Sequence, residues 1–247
     1  MNGEMYQMCN IVASVKQALK NNTVFIFEPA SYEKFLVFHM MSAACCKVDT
    51  IEKWFEECCK KGIVDIKFLT PVKMDEWNLD IFANAHSNLL LCYYANGLVT
   101  YFQADWKFCE YEEGWDITYT EYVWKNPSQD KPKFHDNTKP FIKILEQIET
   151  LALQLEVDNF ASLFRKAILA AKGEILAESK ISIQLPDQNK RLFLAVSAAS
   201  VFGGMGSWND LPLCIAHEMN LVKEYEQLTS ALRDQLTLAI LYAINEW

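Results

Sequence analysis

The sequence predicts an α+β protein: a mixed, largely antiparallel sheet with flanking helices over residues 1–137, and a helical bundle over residues 138–247. Three observations predict it. Between residues 63 and 124, short runs rich in aromatic and β-branched residues are separated by turn signals, as strands are. Beyond a Pro- and Lys-containing segment at 126–140, apolar residues recur at steps of three and four, which is the helical period. The composition, 51% hydrophobic and 22% charged over 247 residues, is that of a chain able to bury a core.

The elements follow in order. Residues 4–20 read as a helix and 23–27 as a short strand. Ser31 can cap a helix running through Cys46. Asp49 can cap the next helix, where Ile51, Trp54, Phe55 and Cys58 form one face and Gly62 supplies the stop. Strands are expected at 63–69, 76–82, 88–95, 98–103 and 115–124. Asn96-Gly97 predicts a hairpin closed by a two-residue type I′ turn. That register would place Leu91 and Tyr93 on one face with Thr100 and Phe102, in a sheet covered on both sides. The strand from Trp115 is one-sided and expected near an edge. In the helical half, Thr138 can cap a helix carrying Phe141, Leu145, Ile148 and Leu151, and Asp158 or Asn159 one carrying Phe160, Phe164 and Ala167. A third is expected over 187–202. The last carries Tyr225, Leu232, Leu236 and Ala239.

The net charge of −9 argues against a nucleic-acid partner, whose phosphates call for Lys and Arg. It suits a basic protein partner, and equally keeps a protein dispersed. No secretory leader is expected, since residues 1–10 hold an acid and no Lys or Arg. The longest apolar run, 35–46, is too short to span a bilayer, so no membrane role is expected. Eight cysteines then point to a reducing cytoplasm.

One segment looks like a signature: Gly203-Gly204-Met205-Gly206-Ser207-Trp208-Asn209-Asp210. A Walker loop needs Lys then Ser or Thr after its last glycine, and a dinucleotide fingerprint needs a third glycine where Asn209 stands. The structural reading explains more. Gly203 or Gly204 takes the left-handed conformation that ends a helix, Trp208 packs across the bundle end, and Asn209 or Asp210 bonds backbone amides before Pro212.

Over about residues 140–247, with "VFGGMGSWND" ahead of a long closing helix containing "EYEQLTSAL", the chain resembles uncharacterised bacterial proteins associated with polymorphic-toxin and contact-dependent antagonism loci. The resemblance implies an immunity protein that neutralises a bacterial toxin domain.

Cys45-Cys46 and Cys58-Cys59 invite a zinc reading, but neighbours on a helix point about 100° apart, so no metal site is expected. Nor is a cofactor. The histidines belong to no His-Glu-x-x-His, and His39 reads as a core residue. Residues 93–124 are the most unusual in composition. Glu110, Glu112, Glu113, Asp116 and Glu121 alternate there with aromatics such as Trp115 and Tyr119. Aromatic anchors with carboxylates that steer encounter are what a binder of a cationic protein would use. An aromatic sheet with a merely solvated outer face would look the same. The expectation is therefore non-catalytic binding of a basic toxin domain through Glu110, Glu112, Glu113, Trp115, Asp116, Tyr119 and Glu121. The rival is a hydrolase-like enzyme with a site assembled near His135, Asp136 and the 203–210 loop.

Overall fold

A computed structural model describes residues 1–41, 47–71, 88–127, 130–174 and 183–247. The fold is α+β, and the chain divides into two compact units, one built on Asn2–Pro132 and one on residues 133–247 apart from Ile183 and Gln184, which belong with the first.

The first unit contains a six-stranded sheet of order β2-β1-β6-β5-β4-β3. Its strands are β1 (Glu33–His39), β2 (Lys47–Val48), β3 (Ile63–Leu69), β4 (Leu89–Tyr94), β5 (Val99–Cys109) and β6 (Gly114–Val123). Neighbours run antiparallel except β1 and β6, which are parallel. Helices α1 (Gly3–Asn21) and α2 (Ile51–Lys60) cover the face that carries Phe38, Phe102 and Tyr119. Phe38 stacks between Trp54 of α2 (4.7 Å) and Tyr119 (5.0 Å), and the Tyr119 hydroxyl donates to Gln7 Oε1 of α1 at 2.8 Å. On the opposite face Lys131 lies over the Tyr93 ring and Lys67 Nζ donates to the Pro132 carbonyl.

Four expectations are corrected. The stretch after Ser31 is strand β1, not a helix, because its partner lies far away in sequence: Phe38 pairs with Tyr119. Residues 23–27 join no ladder among the described residues. β6 is one-sided in burial but sits between β1 and β5, not near an edge. The cap of α2 is Thr50, whose Oγ1 accepts from Lys53 N–H, while Asp49 pairs with Lys47.

The Asn96-Gly97 hairpin has a different turn. Gly97 alone has positive φ (84°), its N–H bonds the Tyr94 carbonyl, and Tyr94 N–H bonds the Leu98 carbonyl. That is a three-residue loop with glycine in the left-handed position. It shifts the register by one, pairing Leu91 with Tyr101 and Cys92 with Thr100. A one-residue shift exchanges faces, so Tyr93 and Leu91 share theirs with Tyr101, not with Thr100 and Phe102. The expected strand at 76–82 falls in residues 72–87, outside those described.

The second unit is helical: α3 (Thr138–Gln154), α4 (Asp158–Lys172), α5 (Asp187–Ala199), α6 (Leu211–Glu218) and α7 (Val222–Asn245). α3 packs on α4, α4 on α5, α5 on α7 and α7 on α3, which closes a four-helix bundle. Its centre holds the expected stripes, including Phe141, Leu145 and Ile148 of α3, Phe164 and Ala167 of α4, and Leu232, Ala239 and Ala243 of α7. α6 is an added short helix with Pro212 in its first turn, where the missing N–H is harmless. Among the described residues no helix is long and apolar enough to cross a membrane.

Candidate functional site

The acidic-aromatic segment folds into an arm. β5 pairs with β4 only over residues 99–102, then continues to Cys109 paired with β6 alone. The arm closes through Glu110–Glu113, with Glu113 N–H bonding the Glu110 carbonyl and Glu113 left-handed at φ 48°. Glu110, Glu112 and Glu113 are exposed, and Tyr111 between them is 94% exposed. Behind the tip, Trp115 meets Phe108 (5.3 Å) and Trp106 (5.8 Å) edge to face, so the arm is stiffened by rings. Exposed Lys107 is paired with Asp105 at 3.3 Å, and the side chain of exposed Lys34 lies against Gly114 just behind the three glutamates.

The seven residues expected to bind therefore separate. Glu110, Glu112 and Glu113 stand at the tip, while Trp115 and Asp116 are half-buried at its base. Tyr119 and Glu121 lie in the core, on the face beneath the helices. Glu121 accepts from Lys61 Nζ (3.0 and 3.2 Å) and from Met41 N–H (2.8 Å), so its charge is spent on the fold. Composition misplaced it: period two puts Glu121 on the face of Ile117 and Tyr119, which is the buried one.

The glycine segment is a loop hung from one buried tryptophan. Trp208 is fully buried among Phe160, Phe164 and Tyr225, with ring centroids 5.2–5.4 Å away. Its Nε1–H donates to Thr229 Oγ1 (2.8 Å), its N–H to the Val201 carbonyl, and its carbonyl accepts from the Tyr225 hydroxyl (2.6 Å). Asp210 Oδ2 accepts from Gly206 N–H, and Ser207 and Asn209 side chains donate to the Gly203 carbonyl. The left-handed glycine is Gly206 (φ 79°), not Gly203 or Gly204. The loop presents Gly203, Gly204, the 99% exposed Met205, Gly206, Asn209 and Asp210 to solvent.

His135 and Asp136 are not brought to that loop. Asp136 Oδ1 accepts from the N–H and hydroxyl of Thr138, which is the first residue of α3 and not its cap, and Oδ2 accepts from Gln188 Nε2. Its charge is felt at Tyr242 on α7, whereas the loop is anchored at Tyr225 and Thr229 of the same helix. Thirteen residues of helix separate Thr229 from Tyr242, about 20 Å at 1.5 Å each, too far for one shared site.

Cys92 and Cys59 are poor nucleophiles. Cys92 is buried beside Cys58, and burial pushes its thiol well up, which suppresses the thiolate that reacts. Exposed Cys59 is also raised, first by partial burial and then by Cys58 and Glu56. Cys45, Cys46 and His86 lie outside the described residues. Among the described residues, no group of three His, Cys, Asp or Glu side chains is placed to hold a metal ion. Sequence reasoning also passed over a groove along α1, bounded by residues 23–28. No protein-family model, curated protein or solved structure matches the chain.

Proposed function

We propose that the protein acts without catalysis, by binding and neutralising a bacterial toxin domain with a basic surface. The tip of the β5–β6 arm is its first point of contact. The observation that carries this reading is the tip: three exposed glutamates around a solvent-facing tyrosine, on an arm held rigid by Trp106, Phe108 and Trp115. A tyrosine supplies contact area with few rotamers to freeze, and surrounding carboxylates raise the encounter rate with a cation. The toxin assignment itself comes from the resemblance around residues 203–210 and from the net charge of −9.

The test is co-expression with the C-terminal domains of the proteins encoded next to this one. The reading expects a stable complex and rescue of cell growth. A Tyr111→Ala, Glu112→Lys variant with unchanged melting should lose at least tenfold in affinity. No complex with any neighbouring product would refute the reading. A tight complex indifferent to the arm would refute the arm as its interface.

A further inference from the structure

α1 ends in a reversal. Asn22 is left-handed (φ 49°) and Thr23 N–H returns to the Ala18 carbonyl, so the chain doubles back along the helix it has just left. It stays there until the Glu28 carbonyl accepts from Asn10 Nδ2 at 3.1 Å. Between these two anchors Val24 (81% exposed) and Ile26 (62%) alternate with half-buried Phe25 and Phe27, and Phe25 stacks on Phe55 at 4.7 Å. Alternation with period two belongs to extended backbone. Length agrees: five steps from 23 to 28 at ~3.3 Å cover ~16 Å, against ~18 Å of helix between Asn22 and Asn10. The burial pattern and the composition are those of a strand, yet among the described residues the backbone groups of residues 24–27 form no hydrogen bond and the segment joins no ladder.

A groove of about 640 Å³ runs between this segment and α1. Its helical wall is the stripe Asn10, Ser14, Gln17 and Asn21, spaced by four, three and four. Gln184 adds a further side-chain amide; among the described residues no Lys or Arg lines the groove, and Glu28 is its one charged residue. Side-chain amides both donate and accept, as a peptide backbone does. A groove of neutral amides beside an unpaired extended backbone matches another main chain, not a phosphate or a charged metabolite. We propose that this groove receives an extended segment of a partner polypeptide, which adds to residues 24–27 as a β-strand with its alternate side chains against Val24 and Ile26. Main-chain pairing would supply the affinity and those two side chains the selection. The site is remote in sequence from the β5–β6 arm, and the inference does not depend on the partner being a toxin.

The experiment uses the full chain and heptapeptides selected on it from a random phage-displayed library. In the free monomer, amides 24–27 should exchange with deuterium at the rate of unprotected backbone, and the selected peptides should slow them at least tenfold. Methylating the backbone nitrogens of alternate peptide residues should weaken binding at least tenfold in one register and little in the other. Ile26→Pro deletes an N–H from an exposed position, and Ser14→Trp fills the groove from the helix side. Each should abolish peptide binding while the melting temperature of at least Ser14→Trp is retained. Lysine at the three glutamates of the arm should leave peptide binding unchanged, whatever it does to the proposed toxin. Four results overturn the inference: no enriched peptide, binding indifferent to methylation, protection of amides 24–27 already in the free monomer, or protection that rises with protein concentration as a dimer forms.

Discussion

Trp208→Ala tests whether the glycine-tryptophan loop is held by its tryptophan or exists to display it. The indole is fully buried against three aromatic rings and its N–H is satisfied by Thr229. A buried tryptophan removes on the order of 200 Å² from water, which at ~25 cal/mol per Å² is about 5 kcal/mol. Alanine keeps little of that. The cavity left behind and the abandoned Thr229 hydroxyl act in the same direction, so truncation should cost ~3–5 kcal/mol. For a chain of this length that lowers the melting temperature by on the order of 10 °C, read by circular dichroism at 222 nm. Trp208→Phe should cost less, because it keeps most of the ring contact and loses the hydrogen bond. Met205→Ala, at the exposed tip, should lie within about ±0.5 kcal/mol of wild type. If Trp208→Ala melts like wild type and loses a partner instead, the loop is a recognition element and the reasoning fails.

Three other outcomes follow from the same geometry. Reversing Glu110, Glu112 and Glu113 to lysine should slow association with a basic partner by roughly tenfold or more and flatten its salt dependence. The melting temperature should hold, since all three are exposed; stopped-flow fluorescence at two ionic strengths reads the rates. Lys61→Met leaves the nearly inaccessible Glu121 carboxylate without its cation and should cost about 3–5 kcal/mol, most of it recovered in the Lys61→Met, Glu121→Met double variant; urea denaturation of the full cycle decides. Burial raises the Glu33 carboxyl above its usual range, and its Oε2 has no hydrogen-bond partner. A carboxyl raised in the fold contributes most in acid, and that contribution is lost as pH rises through its folded value, so Glu33→Gln should melt higher than wild type near pH 7 and lose the advantage below about pH 4.

The helical half was legible because its determinants are local. Steps of three and four in residues 141–151 and 225–243 specify a buried stripe whatever the stripe packs against, and those residues fill the bundle. The sheet was legible only where a strand announces itself, as β3 to β6 do. β1 was missed because nothing in residues 33–39 states that a parallel partner waits at 115–120, and a pairing at that separation is invisible to a local window. The hairpin failed by one residue for a smaller reason. Asn96-Gly97 serves a two-residue turn with both residues at positive φ, or a three-residue turn with only the glycine there, and the chain uses the second.

The candidate surfaces divide along the same line between local and non-local information. Acidic residues at a turn are exposed under either register, which is why Glu110, Glu112 and Glu113 survive as a surface. Within β6 the outcome depends on which face the helices cover. That is decided by Phe38, Trp54 and Gln7, all far from β6 in sequence, and it buries Tyr119 and Glu121. The segment at 23–27 shows the converse. Its strand character was legible, yet strand character states only that a backbone is ready to pair, never with what. Local propensity has been met there while the hydrogen bonds a strand requires have not. In the free protein water must satisfy them, and a strand arriving from outside would replace that water on a segment already tied at both ends, by Thr23 to Ala18 and by Glu28 to Asn10.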